Sequence, residues 1–346
     1  MLPTARSRNG RPVYQRNVHL SFHGSLAPQR RILDILRTRS RVTNLGLFFL
    51  LAITCLSLLL NLSYYISASF SSLRLGSSLS YDYDHDIPGD ILSTLAPSEE
   101  LEALSHLVIV PGHSIWHGSD AASRLNEDDW VLEPYQKGGG RVAAFFEHIT
   151  KGVEILHQDP KALLIFSGGQ TRLSSTTTEA ESYMRLALKA NLFKLPAGAA
   201  HSPRATTEDF ALDSFQNLLF SIARFHEYTG RYPENITVVG YEMKRERFTK
   251  LHRAALRWPI ERFHYVGADP GGQEGVEAQQ GERKNGFLPY TSDYYGCHSF
   301  LLAKRRQRNP FRRYHPYHTS AAELKTLFDW CPDQNKLFTG RLPWYG

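Results

Sequence analysis

The chain has 346 residues, of which 42% are hydrophobic and 21% are charged, so it holds enough apolar side chains to form a core and is not a disordered protein. Its three cysteines exclude a disulfide-dense scaffold and a four-cysteine zinc site. The net charge is +6, but residues 1–41 contain nine arginines and one acid, Asp34. The leader therefore carries +8 (9 − 1) and the remainder −2 (6 − 8), which leaves no compositional support for nucleic-acid binding.

The first predicted element is a transmembrane helix over residues 42–66, through which the chain would contact a membrane. No charged side chain occurs in residues 42–73, and the apolar stretch is long enough to cross about 30 Å of hydrocarbon. A cleaved signal peptide is the alternative, but its charged region is normally short. The long arginine-rich leader therefore favours an anchor that remains in the protein.

Charge on the two sides of this helix predicts its orientation. Arginines precede it in residues 37–41, whereas aspartates follow in residues 82–86, so the leader is expected in the cytosol. The rest of the chain, which begins with a predicted stalk over residues 67–97, is expected on the far side of an endoplasmic reticulum or Golgi membrane. A mitochondrial presequence followed by an inner-membrane anchor is the alternative.

Two features beyond the anchor bear on the compartment. Asn235 begins an Asn-Ile-Thr triplet, which is a glycosylation candidate and would indicate the secretory route if it carried sugar. Cys297 and Cys331 are the only cysteines after the anchor. They would form one disulfide in an oxidising lumen, and two unpaired core thiols are the alternative.

The region from residue 98 to 268 predicts a Rossmann-like α/β core. Short apolar runs typical of strands buried on both faces of a parallel sheet alternate with segments of helical periodicity. The predicted strands are 106–110, 162–166, 236–240 and 263–266, and the predicted helices are 141–157 and 206–225. This order predicts an open, mainly parallel sheet with helices on both faces. Residues 269–346 are predicted to be an extension that packs on the core and contains a short helix, 321–330.

Ligands of open α/β sheets collect beyond the carboxyl ends of the strands, so the residues after each apolar run are candidates. After the first run, Gly112 allows a close backbone approach, and His113 is a candidate acid, base or ligand. His113 and His117 have a spacing that would suit a metal on a helix. The flanking Gly112 and Gly118 favour a loop instead, and a hydrogen-bonded loop histidine is the alternative.

The second candidate segment follows the second run. Ser167, Gly168 and Gly169 lead towards a helix, so their amides and the helix N-terminus are candidate anion donors. Thr178 and Glu181 have the spacing of a capping box, and this structural role accounts for Glu181 as well as a site role does.

The third and fourth segments precede predicted helices. Thr206, Glu208 and Asp209 lie where a helix is predicted to begin, and capping is the alternative to a site role for the acids. Lys244 and Arg247 follow the third run at another predicted helix start, where the helix dipole opposes cations. That placement indicates an anionic ligand, and neutralisation by neighbouring glutamates is the alternative.

These segments share an order with a known family. The motifs are, in chain order, Val110-Pro111-Gly112-His113, Phe166-Ser167-Gly168-Gly169, Glu179-Ala180-Glu181-Ser182-Tyr183-Met184, Thr207-Glu208-Asp209-Phe210-Ala211 and Tyr241-Glu242-Met243-Lys244-Arg245-Glu246-Arg247. Their succession resembles the domain-of-unknown-function 218 family, which includes the bacterial SanA-like and YdcF-like envelope proteins. The resemblance covers residues 104–268, and no single motif in it is specific.

The resemblance implies a membrane-tied Rossmann-like domain with a polar pocket. Carried over by position, the lining residues would be Gly112, Ser167, Gly168, Gly169, Glu181, Glu208, Asp209 and Arg247. The family's usual Asn is Asp209 here and its usual His is Lys244, so the acid–base role of that His does not transfer. The chain is similar to a divergent eukaryotic branch of the family.

The expected function is binding of an anionic or phosphorylated small molecule or lipid-linked carrier, with hydrolysis as an open question. Asp209, Glu181 and His113 are the candidate acids and bases, whereas Lys244, Arg247 and the glycine loops are the candidate ligand-binding groups. Mg²⁺ is conceivable for phosphate chemistry, but no ligand spacing indicates a metal. The alternatives are a non-catalytic binder of a nucleotide-derived ligand such as S-adenosylmethionine, and a trafficking or scaffold protein that uses basic residues 304–313.

Overall fold

The computed structural model describes residues 40–76, 94, 98–196, 202–269, 273–333 and 335–345. The chain forms two compact units, Met1–Asp84 and His85–Gly346. In the first unit, helix α1 (Ser40–Gly76) contains a segment, Leu47–Ile66, that is long and apolar enough to cross a membrane. The helix continues to residue 76, into the predicted stalk. Residues 1–39 of the leader, and 77–93 and 95–97 of the stalk, lie outside the described residues.

The second unit is built on a five-stranded parallel sheet, as the sequence predicts. Its strands are β1 (His106–Pro111), β4 (Ala162–Ser167), β5 (Ala205–Glu208), β6 (Asn235–Gly240) and β7 (Phe263–Gly267). They lie in the order β5-β4-β1-β6-β7, and all neighbouring pairs are parallel. A separate antiparallel pair joins β2 (Ile115–Trp116) to β3 (Trp130–Val131).

The central strand shows why the apolar runs form this sheet. Leu107 and Ile109 belong to the hydrophobic core on one face, and Val108 and Val110 belong to the core on the other face. All four side chains are fully buried. A strand that is covered on both sides needs an unbroken apolar run, because successive side chains point to opposite faces.

Helices cover both faces of the sheet. They are α2 (Glu99–Glu102), α3 (Arg141–Gln158), α4 (Glu179–Lys189), α5 (Ser214–Thr229), α6 (Arg253–Ala255), α7 (Gln273–Glu282), α8 (Leu288–Ser292), α9 (Ser299–Gln307), α10 (Tyr317–Ser320) and α11 (Lys325–Phe328). Helices α3 and α4 pack on one face, and α5 packs on the other. The extension after residue 268 shares the core of α5, where Trp344 packs on Trp258 at a ring-centroid distance of 4.9 Å.

Two predicted helices differ from the structure. The helix expected over 206–225 begins only at Ser214, because residues 205–208 form the edge strand β5. Its N-cap is Asp213, whose side chain accepts a hydrogen bond from the Gln216 amide at 2.9 Å, so Thr206 and Asp209 cap nothing. The helix expected over 321–330 is broken into a 3₁₀ turn and the four-residue α11.

The strand order places a crevice beside β1. The chain runs from β1 outwards through β4 to β5, and then crosses back to β6 on the other side of β1. The connections that leave the carboxyl ends of β1 and β6 therefore diverge to opposite sides. In open α/β sheets, this switch point is where ligands bind.

Candidate functional site

A cavity of about 890 Å³ lies at this switch point. Its wall includes Gly112 after β1, Thr171 after β4, Tyr241 after β6, and Asp213 at the N-terminus of α5. Helix α9 of the C-terminal extension contributes Lys304. The volume is typical of a small-molecule site, and the extension forms part of the cavity wall.

Two glycines give the start of α4 access to the cavity wall. A Cβ atom on Gly112 would lie 2.5 Å from the Glu179 Cβ, and one on Gly168 would lie 2.9 Å from the same atom. Any other residue at either position would therefore displace α4. The approach leaves the Glu179 carboxylate buried in the wall, where it accepts a hydrogen bond of 2.5 Å from the Thr171 hydroxyl.

The glycine amides do not form the expected anion cradle. The N–H groups of Gly112, Gly168 and Gly169 donate to backbone carbonyls at 2.7, 2.9 and 2.8 Å. The first amides of α4 are occupied as well, because Glu181 N–H donates to the Thr178 hydroxyl in the predicted cap. These donors hold the loops together and are not available to a ligand.

His113 lies in the cavity wall and supports a lysine. Its ring stacks on Tyr241 at a centroid distance of 4.9 Å, and its Nδ1 lies 3.4 Å from the Lys244 Nζ. Burial and the adjacent Lys244 hold the pKa of His113 well below its usual range. The imidazole is therefore neutral at pH 7, and its Nδ1 can accept a hydrogen bond from the Lys244 amine.

Lys244 is the most perturbed cation of the cavity wall. Burial and the neighbouring Arg247 guanidinium lower the pKa of Lys244 to about 7. Its Nζ also lies 5.0 Å from the centre of the Tyr241 ring. Arg247 has its own counter-charge, because its Nε lies 3.2 Å from a Glu282 oxygen. Lys244 is therefore held by neutral groups and close to another cation.

Helix α9 and the residue after it bring two further cations to the cavity. Lys304 donates to the Asn285 carbonyl at 3.0 Å, and Arg308 donates to the Leu212 carbonyl at 3.1 Å. Burial and the nearby Arg308 lower the pKa of Lys304 to about 8. Arg305 of the same helix forms a buried ion pair with Asp213. That pair fixes the helix, while its neighbours face the cavity.

A glycine-rich loop contributes another part of the wall. Lys137 and Arg141 line the cavity and flank three glycines with φ values of +79°, +64° and +68°. Only glycine adopts such angles readily, so the loop can turn tightly into α3. Helix α3 has no side-chain cap and no acid in its first turn. Its N-terminus therefore keeps its positive partial charge.

The described wall of the cavity carries an excess of positive charge. Seven basic side chains line it, at Lys137, Arg141, Arg172, Lys244, Arg247, Lys304 and Arg308, against four acids, at Glu179, Asp213, Glu277 and Glu282. Arg172 and Arg247 form ion pairs with Glu133 and Glu282. Among the residues that the structure describes, the other five basic groups have no acidic partner within 4.0 Å.

One relative places the chain in a family. This chain is 33% identical to the uncharacterized protein YOR238W of Saccharomyces cerevisiae, in an alignment that covers 61% of this chain and 86% of the yeast protein. The two proteins belong to one family. No family model matches the chain. No solved structure matches it either.

The structure gathers only part of the predicted site at the cavity. Gly112, His113, Lys244 and Arg247 line the wall. Ser167, Gly168, Gly169, Glu208 and Asp209 lie behind it, whereas Glu181 is exposed and lies 3.5 Å from Arg185. The functional role of each of these residues remains a prediction.

The two acids of the third segment have structural partners. The Ser167 hydroxyl donates to the Glu208 carboxylate at 2.7 Å in the protein interior, and burial raises the pKa of Glu208 to about 7. Asp209 accepts hydrogen bonds from the hydroxyls of Thr178 and Thr207 at 2.5 and 2.7 Å. Both acids therefore connect strand ends to loops. Neither faces the cavity.

Other predicted positions lie away from the cavity. Cys297 and Cys331 form a disulfide, and with His298 they are the group in the described residues whose ligand atoms lie close enough to hold a metal. Their sulfur atoms bond to each other, so they offer no thiolate. Asn235 is half-buried at the start of strand β6, where Ile236 and Thr237 are buried, and its glycosylation stays a prediction. His117 is exposed.

Sequence reasoning missed four of the five basic residues that lack an acidic partner. The sequence could have indicated Lys137 and Arg141, because they flank three consecutive glycines that precede the long periodic helix α3. It could not have indicated Lys304 and Arg308, since only long-range packing of the extension brings α9 to the switch point. The sequence predicts Glu181 as the site acid, whereas the structure places Glu179, two positions earlier, in the wall. The close contact of Glu179 with Gly112 and Gly168 turns that side of α4 towards the cavity, and the sequence does not indicate this contact.

Proposed function

We propose that the protein is a single-pass membrane protein whose second unit binds a small phosphorylated or otherwise anionic molecule in the cavity at the switch point. One observation carries the proposal. Five basic side chains of the described wall lack an acidic partner: Lys137, Arg141, Lys244, Lys304 and Arg308. Lys137 is exposed and the other four are half-buried. Burial lowers the pKa of Lys244, and such a cation without counter-charge destabilises a fold unless a ligand supplies negative charge.

The volume of the cavity and the positive charge of its wall narrow the class of ligand. A volume of about 890 Å³ would hold inorganic phosphate with most of its space unfilled, so the ligand is an organic molecule that carries the anion. The sulfonium of S-adenosylmethionine is a cation and would be repelled by the same side chains. The charge of the wall therefore favours a phosphate ester over that ligand.

Anion binding should be linked to proton uptake at Lys244. In the unliganded protein the pKa of Lys244 is about 7, so near that pH half of the molecules lack this charge. A bound dianion raises the pKa, because an opposite charge stabilises the ammonium. Affinity is then greatest below pH 7 and falls up to about tenfold per pH unit above it, until the pH reaches the pKa of the complex.

Sulfate is a suitable probe, since it stays a dianion throughout this range. Titration calorimetry of the full chain in detergent, at constant ionic strength, should show sulfate binding that weakens above pH 7. Lys244→Met should lower the affinity about tenfold and remove the pH dependence near pH 7, whereas a fall above pH 8 should remain because Lys304 has a pKa of about 8. Lys250→Met is the matched control, because Lys250 is exposed and pairs with Glu246. Binding unaffected by Lys244→Met, or equally weakened by both changes, contradicts the proposal.

For the membrane topology we propose a cytosolic leader and a second unit in an oxidising endomembrane lumen. The Cys297–Cys331 disulfide supports this side of the membrane, since such bonds persist in oxidising compartments. Protease added to sealed microsomes should trim the leader and spare residues 98–346. Digestion of the C-terminal unit in intact vesicles would reverse the topology.

A further inference from the structure

A serine and a histidine form a hydrogen-bonded pair at the edge of the cavity. Ser214 lines the cavity, and its Oγ lies 2.8 Å from the Nε2 of His252. This separation is that of a nucleophile and its general base. The pair lies outside every motif that the sequence singles out, because Ser214 begins α5 and His252 ends the π-helical turn Arg247–His252.

The imidazole is fixed by packing and is neutral. His252 is fully buried, and its ring contacts Phe248 and Tyr290 edge-on, at centroid distances of 5.2 and 4.5 Å. Burial and the Arg247 guanidinium hold the pKa of His252 well below its usual range. A neutral Nε2 that carries a lone pair can take the hydroxyl proton from Ser214, whereas an imidazolium could not.

Cations and the Asp213 carboxylate flank the serine. Ser214 is the first residue of the sixteen-residue α5. The Asp213 carboxylate caps this helix and pairs with Arg305. Arg308 bonds to the carbonyl of Leu212, two residues before the serine. Arg247, which lies close enough to lower the pKa of His252, lines the same cavity. A phosphoryl group beside Ser214 would meet these cations.

We infer that Ser214 is the nucleophile and His252 the general base of a phosphate monoester hydrolase, a reaction that rests on the anion site proposed above. The Ser214 Oγ attacks phosphorus and forms an O–P bond, the ester O–P bond breaks, and the hydroxyl proton passes to His252 and then to the leaving alcohol. Water next attacks the phosphoserine and gives a proton to His252. The Oγ–P bond breaks, inorganic phosphate leaves, and the proton returns to Ser214.

The test uses para-nitrophenyl phosphate with the full chain in detergent. The wild-type protein should release nitrophenol and phosphate, and acid quenching should trap phosphate on the peptide that contains Ser214. Ser214→Ala and His252→Gln should each lower the rate by about 10²-fold or more. Both variants should still bind sulfate. Ser299→Ala is the matched control, because Ser299 also begins a helix but is exposed, and its rate should be unchanged.

The outcomes separate this inference from the binding proposal. Sulfate binding without phosphate release in the wild type overturns the hydrolase and leaves the anion site standing, whereas absence of sulfate binding removes the anion site itself. Release that survives Ser214→Ala, or turnover of para-nitrophenyl acetate alone, also overturns the hydrolase. If Ser214→Ala does not fold, labelling of the wild type with a fluorophosphonate decides, since the inference requires the label on Ser214.

Discussion

Replacing Lys244 with methionine should make the second unit more stable while weakening its binding. The unfolded chain protonates this lysine with a pKa of 10.5, and burial with Arg247 lowers the pKa to about 7 in the folded state. Between these values the unfolded state binds more protons, so wild-type stability rises with pH. Below pH 7 the folded protein carries the full cost of a buried ammonium. Methionine fills similar space without charge.

The size of the gain follows from the two pKa values. The interval from about 7 to 10.5, at about 1.4 kcal/mol per pKa unit, sets an upper limit of about 5 kcal/mol. We expect Lys244→Met to raise the free energy of unfolding by about 3 kcal/mol at pH 6, because relaxation around the charge recovers part of the cost. The gain should shrink as the pH rises and vanish near pH 10.5, where both side chains are neutral.

Urea unfolding followed by tryptophan fluorescence measures this gain. All five tryptophans lie in the second unit, so the signal reports that unit alone. The Lys250→Met control should change the stability by less than about 0.5 kcal/mol, since Lys250 is exposed. A loss of stability at pH 6, or a gain that persists undiminished to high pH, would refute the assignment of Lys244 as a buried cation.

Three further predictions concern the stability of the second unit. Because burial raises the pKa of Glu208 from 4.5 to about 7, wild-type stability should fall as the pH rises through that interval, and Glu208→Gln should remove the fall in melting temperature. Gly168→Ala should cost about 1 to 3 kcal/mol in urea unfolding, because its Cβ would meet Glu179, whereas Gly281→Ala, with open space around it, should stabilise by about 0.5 to 1 kcal/mol. Cys297→Ser opens a disulfide loop with a sequence separation of 34 and should cost about 3 to 4 kcal/mol, a loss that reduction of the wild type should reproduce.

The strands were predictable wherever burial was complete. The runs at β1 and β4 are continuous and apolar because both faces of those strands pack against helices. Strand β5 was missed since it is a four-residue edge strand of partly polar sequence, which carries no periodic signal. Without β5 the sequence predicts a helix from residue 206 with Asp209 in its first turn, whereas the helix begins at Ser214.

Some basic residues of the cavity wall are indicated by the local sequence, and others are placed there only by long-range packing. Lys244 and Arg247 were predictable, because basic residues after a strand oppose the helix dipole unless an anion is near. Lys304 and Arg308 lie more than 50 positions further along the chain, and nothing local indicates where α9 packs. The resemblance to the domain-of-unknown-function 218 family covers only residues up to 268, so it could not indicate them, and that resemblance remains a prediction.

The arrangement of charges supports the proposal that the cavity binds a ligand. Arg247 and Arg305 have acids of their own, Glu282 and Asp213, and breaking such a buried pair costs about 3 to 5 kcal/mol. These pairs fix the segments that form the wall. Lys244 lies close to Arg247 and forms no ion pair within the described residues, which raises the free energy of the empty folded state. A cavity without a ligand would be more stable if apolar side chains lined it, because such cavities stay empty of water. A ligand that supplies the negative charge recovers the cost on binding, so stability and occupancy should rise together.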